Sequence, residues 1–135
     1  MHFSTADGRQ PLESASFAEM LEGGVPLPDP QVQISDDRGR FVGRVDFWWK
    51  EHAVAGEADG LVKYGLLVDD DPVRARQALI EEKRREDRLR AMGVHVVRWG
   101  LAELRNPGWA AWLREELLCG DASRFRGKTY MRYLP

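Results

Sequence analysis

The sequence predicts an α/β fold with a mixed β-sheet flanked by helices. Two short apolar runs, 42–49 and 53–58, are separated by the polar segment Lys50–His52, which is the pattern of a β-hairpin. A long stretch of strong helix formers, Val73–Met92, precedes a nearly continuous apolar run, Val94–Trp99. Strands that alternate with a helix in this order are typical of sheets with parallel neighbours.

The first part of the chain is predicted to hold one helix and one short strand. Proline in the first turn, followed by apolar residues at helical spacing, predicts a helix from Pro11 that ends at Gly23. The segment Val25–Pro30 is too rich in proline for a helix or a central strand, so we expect an extended connector. Gln31–Ile34 is predicted to be a short strand, and Asp36–Gly39 a turn.

The second part is predicted to add a helix, a strand and a further helix. Asp69–Pro72 has the composition of a turn and helix cap, and Gly93 should end the long helix. The apolar run Val94–Trp99 predicts a strand in the centre of the sheet. Leu101–Leu118 is predicted to be helical, with an interruption at Asn106–Gly108.

Length and composition indicate one folded domain. The chain has 135 residues, 43% of them hydrophobic, and five tryptophans, enough for one core. We divide it into a flexible lead-in at 1–10, a domain at 11–118 and a basic, aromatic tail at 119–135. The single cysteine, Cys119, excludes an intrachain disulfide and, with no apolar signal core or membrane-length run, suggests the cytoplasm. The net charge of −2 means that any polyanion must be bound by local basic patches.

Three acidic residues on the predicted hairpin are the main functional signal. With a turn centred on Glu51 and His52, Asp46 should lie directly opposite Glu57, and Asp59 should share the face of Glu57. Carboxylates at this distance repel each other unless a positive charge neutralises them, and a divalent metal ion is the most productive candidate.

The order of these elements resembles the restriction-endonuclease-like PD-(D/E)XK superfamily, and within it small bacterial proteins related to the very-short-patch-repair endonuclease. The resemblance spans roughly residues 11–104. It is carried by six segments taken together, which are 11–14, 27–28 with Gln31, 45–47, 57–60, 82–87 and 93–99. It implies a metal-dependent endonuclease, a hydrolase that cleaves DNA phosphodiester bonds with Mg²⁺, for which Mn²⁺ would substitute.

The resemblance also implies roles for individual residues. Asp46 and Glu57 would bind the metal, and Glu13 on the first helix would complete the site. The lysine that usually follows the second acid by two residues is absent, because Asp59 occupies that position. Lys63, or Lys83 on the long helix, would then supply the positive charge that stabilises the transition state. Mg²⁺ suits carboxylate ligands and activates water.

Each candidate also has a purely structural explanation. Asp46 and Glu57 would also suit an exposed sheet face, Asp59 with Gly60 a turn, and Glu13 the start of its helix. Glu81–Arg90 is most simply a charged outer helix face. The three histidines lack metal-ligand spacing, so we expect no zinc site.

Two basic clusters are candidates for contact with phosphate. The first lies on the long helix and is diluted by acids; its members are Lys83, Arg84, Arg85, Arg88 and Arg90. The second lies in the tail among aromatic residues; its members are Arg124, Arg126, Lys128 and Arg132. The alternative function is a degenerate nuclease fold that binds DNA or protein in a defence or toxin–antitoxin system, with a homodimer or a protein partner as possible assemblies. A purely structural subunit is a third alternative.

Overall fold

The computed structural model describes residues 11–58 and 71–131. The strands are β1 (Asp29–Asp36), β2 (Phe41–Trp49), β3 (Val54–Ala58), β4 (His95–Trp99) and β5 (Gly127–Met131). The helices are α1 (Leu12–Glu22), α2 (Pro72–Ala91), α3 (Leu101–Leu104) and α4 (Trp109–Leu118), followed by a 3₁₀ turn at Ala122–Arg124. The strands form one sheet in the order β4-β3-β2-β1-β5, parallel between β3 and β4 and antiparallel elsewhere. The fold is therefore α/β with a mixed sheet, as predicted.

The predicted hairpin is formed by β2 and β3. Phe47 pairs with Gly56 and Trp49 with Val54, so the strand register is symmetric about the turn. Ala53 belongs to the turn rather than to the strand, with a φ of 52°. The alternation of apolar residues and the short polar turn were sufficient to predict this unit.

Two hydrophobic cores lie on opposite faces of the sheet. On one face, the helices α1, α3 and α4 cover Phe47, Trp49 and Trp99. On the other, α2 covers Val45, Ala55 and Val96 together with its own Leu89. Because both faces are covered, β2 and β3 bury most of their side chains.

Ser16 of α1 fixes this helix against Trp99. The Ser16 hydroxyl donates to the carbonyl oxygen of Leu12 at 2.7 Å and accepts from Trp99 Nε1 at 2.8 Å. Ser16 is completely buried, and the Trp99 ring stacks on Phe47 with centroids 5.6 Å apart. The polar groups of Ser16 and Trp99 thus have hydrogen-bond partners inside the first core.

Three predicted features differ from the structure. Within residues 11–58 and 71–131, β4 lies at the end of the sheet and not at its centre; its apolar run reflects coverage on both faces. β1 starts at Asp29, so the last two residues of the predicted connector are paired with β2. Part of the segment predicted as a tail forms β5, which pairs with β1 through partners such as Val32 and Met131.

The helix α2 returns the chain from β3 to β4. It begins at its predicted cap, where the Asp71 side chain accepts hydrogen bonds from the backbone N–H groups of Val73 and Arg74. It ends before Gly93, whose φ of +91° favours glycine. No helix in the described part of the chain combines the length and apolar character needed to cross a membrane.

Candidate functional site: the carboxylates at the end of the hairpin

Asp46 and Glu57 meet where the backbone pairing between β2 and β3 ends. Phe47 and Gly56 are the last paired residues of the two strands, and Asp46 and Glu57 are their immediate neighbours in the sequence. The Asp46 backbone N–H donates to Glu57 Oε2 at 3.3 Å, and Asp46 Oδ2 accepts from the backbone N–H of Ala58 at 2.9 Å. Side-chain carboxylate oxygens therefore accept the hydrogen bonds that backbone carbonyl oxygens accept elsewhere in the sheet. These hydrogen bonds hold each carboxylate in a fixed position.

Arg85 of α2 neutralises Glu57. Its guanidinium forms an ion pair and hydrogen bond with Glu57 Oε1, and only 7% of the Glu57 side chain and 21% of the Arg85 side chain is exposed. Gly43 of β2 makes room for this arginine, because a Cβ at that position would lie 2.9 Å from Arg85 Cδ. The structure thus provides one neutralising charge for Glu57 from within the protein, and the metal ion stays a prediction.

A network of charged side chains continues from this pair along α2, from the buried Glu82 to the exposed Arg90. Arg85 Nε lies 3.0 Å from Glu82 Oε1, and Arg98 of β4 contacts Glu86 at 2.8 Å. Glu86 also pairs with Arg90 at 2.7 Å. Together with Asp46, four carboxylates share three guanidinium groups, an excess of one negative charge (4 − 3) among the described residues.

The network perturbs the pKa of two of its members. Burial lowers the pKa of Arg85, and the neighbouring Arg98 charge adds to this, while Asp46 and Glu86 oppose it. Burial alone would raise the pKa of Glu86, but hydrogen bonds from Arg90 and Arg98 outweigh it and hold the pKa below its ordinary value.

Arg85 keeps one buried donor that is not used. Within the described residues, its Nη1 atom has no hydrogen-bond partner. An unpaired buried donor is costly, and an anionic oxygen beside Glu57 would satisfy it.

Glu13 lies near this site but is linked to β1. Gln31 Nε2 is 3.4 and 3.5 Å from the two carboxylate oxygens of Glu13. Gln31 lies across from Asp46, between the pairs Pro30–Phe47 and Val32–Val45, and has a φ of 52°. Gln31 thus links Glu13 to the strand next to Asp46.

The lysine candidates have different positions. Lys63, like Asp59 and Gly60, lies outside the described residues. Lys83 is on the outer face of α2, 70% exposed, and pairs with Asp87 at 3.1 Å. The structure therefore does not bring Lys83 to the carboxylates.

Arg85 is predicted from the sequence only as a member of a basic cluster for phosphate contact, and not as a neighbour of Glu57. The segment Glu81–Arg90 was predicted to be an outer, solvated face, yet Glu82, Arg85, Glu86 and Leu89 face the sheet. Their spacing of three, four and seven residues is that of one helix face. This spacing is visible in the sequence and could have indicated that these charged residues share the inner face with Leu89. The apolar Leu79 and Ile80 do not lie on that face and are exposed.

The ligand types at this site suit a hard divalent cation. Asp46 and Glu57 offer carboxylate oxygens, the excess charge is negative, and Asp46 Oδ1 has no hydrogen bond among the described residues. Glu57 is already engaged through both oxygens, so a metal ion would have to displace Arg85 from Oε1.

Several basic side chains of the two predicted clusters already form contacts within the protein. On α2, Arg85 pairs with Glu57 and Arg90 pairs with Glu86. In the C-terminal segment, Phe125 packs on Trp48 with ring centroids 5.2 Å apart, and Arg126 donates to the Ser123 carbonyl oxygen at 3.1 Å. Arg132 lies outside the described residues.

A pocket of about 270 Å³ opens at the end of β4, beside the network. Arg98 and Trp112 both line it, and Trp112 is 38% exposed. An arginine of the network and an accessible indole are therefore neighbours on this surface.

Comparison of the sequence with family models and with curated proteins, and of the structure with solved structures, gives no match.

Proposed function

We propose that this protein is a metal-dependent endonuclease that hydrolyses DNA phosphodiester bonds in the cytoplasm. The observation that carries the proposal is the meeting of Asp46 and Glu57 at the end of the hairpin ladder, each carboxylate held by the backbone of the other strand. Asp46 and Glu57 would hold Mg²⁺ or Mn²⁺, with Glu13 as the third acid. The metal would supply Lewis-acid polarisation of the phosphate and a more acidic bound water.

Arg85 has the chemistry to compensate for the lysine missing at Asp59. Its guanidinium is adjacent to Glu57 and keeps an unused buried donor among the described residues, so it suits a phosphate oxygen. In the resting protein Arg85 would neutralise Glu57, and with DNA bound it would pair with the phosphate instead. Lys63 remains the proposed second source of positive charge.

A pocket lined by one arginine, one glutamate and two tryptophans lies near these residues. Arg98 connects the network to the pocket that Trp112 lines. An exposed indole beside an arginine suits base stacking and phosphate contact, both of which tolerate any nucleotide sequence. This surface supports a nucleic-acid substrate.

The second candidate is a catalytically degenerate module that binds DNA or a protein. The ion pair between Arg85 and Glu57 favours it, because this pair occupies a carboxylate that metal binding requires. Both proposals predict the same fold, and they differ in whether the wild type cleaves.

Cleavage of supercoiled, linear and single-stranded DNA distinguishes the two candidates. With Mg²⁺ or Mn²⁺, the wild type should cut at least one substrate, and Asp46→Asn and Glu57→Gln should remove cleavage while retaining DNA binding. Glu51→Gln, an exposed acid in the turn of the same hairpin, is the matched control and should cut normally. Lys63→Ala should slow cleavage more than it weakens binding, and Lys83→Ala should do neither.

Binding without cleavage by the wild type would establish the degenerate module. Full cleavage by both Asp46→Asn and Glu57→Gln would place the active site elsewhere. Folding of each variant should be checked by circular dichroism, since Glu57→Gln alters a buried ion pair.

A further inference from the structure

Three side chains that bind transition metals lie together on the sheet face opposite the Glu57 network. His95 Nε2 is 2.9 Å from Glu116 Oε1. One donor atom from each of His95, Glu116 and Cys119 lies within 4.8 Å of the other two. His95 and Glu116 are about a quarter exposed and Cys119 is exposed, so an ion can reach all three.

The fold holds these side chains in place from two rigid elements. His95 is the first residue of β4, where it pairs with Val54 and donates its backbone N–H to Ala53 at 3.0 Å. Glu116 is in the last turn of α4, and Cys119 follows three residues later at the helix end, so the two lie on one side of the helix.

Gly120 brings this helix end close to the strands. A Cβ on Gly120 would lie 2.2 Å from the carbonyl oxygen of His52 and 2.6 Å from Val54 Cγ2. Only a residue without a side chain permits this approach. Because Val54 neighbours His95, the same approach brings Cys119 next to β4.

We propose that His95, Glu116 and Cys119 bind a zinc-class divalent transition metal. An imidazole nitrogen, a carboxylate oxygen and a thiolate are the donors that Zn²⁺ uses, whereas Mg²⁺ does not select thiolate. Donors on one tetrahedral zinc lie roughly 3.3–3.8 Å apart, as bond lengths of about 2.0–2.3 Å require. The present spacing therefore needs small side-chain adjustments.

Binding has a defined chemical cost and outcome. The hydrogen bond between His95 and Glu116 opens, as does the one from the Cys119 thiol to the Glu115 carbonyl oxygen. Cys119 releases its proton to solvent, and neutral His95 donates a ring nitrogen lone pair. Three protein ligands leave a fourth position for water. The negative end of the α4 dipole adds attraction for a cation.

This site is independent of the proposed nuclease site. His95 points to α4, whereas Arg98, three residues later in β4, points to α2. Sequence spacing did not reveal it, because positions 95, 116 and 119 match no linear zinc motif. The adjacency arises only from the packing of α4 against the start of β4.

Titration of the reduced, metal-stripped full chain with Co²⁺ tests the proposal. The wild type should develop the near-ultraviolet charge-transfer band of a cobalt–thiolate bond, and Zn²⁺ should displace the cobalt. Cys119→Ser should abolish the band. His95→Asn and Glu116→Gln should each weaken Co²⁺ binding by at least about tenfold.

Two controls define the site and separate it from the carboxylates of the hairpin. Glu115→Gln changes the neighbouring acid on α4, and Asp46→Asn changes the proposed nuclease site; both should titrate like the wild type. Absence of the band in the wild type, or wild-type affinity in His95→Asn together with Glu116→Gln, would overturn the proposal. Loss of the band in Asp46→Asn would show that the metal site at His95 is not independent of the carboxylates of the hairpin.

Discussion

Arg85 in α2 and Glu57 in β3 form an ion pair across the sheet–helix interface. They are 28 positions apart in the sequence, so the contact forms only when α2 docks on the sheet. Gly43 allows the arginine to cross β2, and Glu82 contacts the same guanidinium. The pair thus links the position of α2 to the geometry of the carboxylates.

Removal of Arg85 should destabilise the protein strongly. Arg85→Met leaves Glu57 buried without its counter-charge, and we expect a loss of about 3 kcal/mol, the lower end for a buried pair because Arg85 remains partly exposed. Urea unfolding measures this. Arg84→Met, on the exposed side of the same helix, is the control and should stay within about 0.5 kcal/mol of the wild type.

The double variant Arg85→Met/Glu57→Gln should recover part of that loss, because the uncompensated charge is gone. A loss in Arg85→Met equal to that in Arg84→Met would mean that the pair contributes nothing to stability.

Metal binding at the hairpin should appear as thermal stabilisation. At about a hundred times its dissociation constant, Mg²⁺ or Mn²⁺ would stabilise the folded state by about 2.7 kcal/mol. Asp46→Asn should abolish the increase in melting temperature and should stabilise the metal-free protein by reducing carboxylate repulsion. An unchanged response to metal in Asp46→Asn would exclude Asp46 as a ligand. Scanning calorimetry at several metal concentrations provides the measurement.

The hydrogen bond between Ser16 and Trp99 should be worth more than an exposed one. Ser16→Ala leaves Trp99 Nε1 buried without its acceptor, at a cost of about 1–3 kcal/mol. A double-mutant cycle with Trp99→Phe isolates the coupling between the two side chains, measured by urea unfolding. Ser16→Ala should cost much less in the Trp99→Phe background, and equal costs in both backgrounds would refute the coupling.

Glu86 should contribute to the loss of stability in acid. Its pKa in the folded protein is below the ordinary value of 4.5, so the stabilisation it provides is present above that pH. The contribution is lost as the pH falls through the lower, folded-state pKa. The stability difference between wild type and Glu86→Gln should therefore be largest near neutral pH and shrink in acid.

Urea unfolding across this pH range provides the measurement. Glu81→Gln, an exposed acid on the same helix, should retain the acid-induced loss of the wild type. A difference between wild type and Glu86→Gln that is constant with pH would contradict the assignment.

The sequence predicts the hairpin well because its information is local. Period-two alternation and a short polar turn determine the register, so the meeting of Asp46 and Glu57 follows from counting residues outward from a turn centred between Glu51 and His52. The docking of α2 is not local. The face of α2 that packs on the sheet is charged. Charged residues are usually exposed, so the sequence alone suggests that Arg85 faces solvent, although its side chain is only 21% exposed.

The two ends of the sheet show the same limit. The apolar run of β4 indicates that both faces of the strand are covered. A strand at the end of the sheet can be covered on both faces just as a central strand can. β5 has mostly exposed side chains and is held by backbone pairing with β1, so hydrophobic alternation gives it no signal.

The pairing of β1 with β5 has a consequence for the order of events during synthesis. β1 leaves the ribosome early, but its partner extends to Met131, so one side of β1 stays open until nearly the whole described chain has been made. Contacts between such distant segments form late and slow the completion of folding. The hairpin and its carboxylates can therefore assemble on a nascent chain while β1 still exposes an unpaired edge, and this interval is when a chaperone or a second nascent chain would compete for that strand.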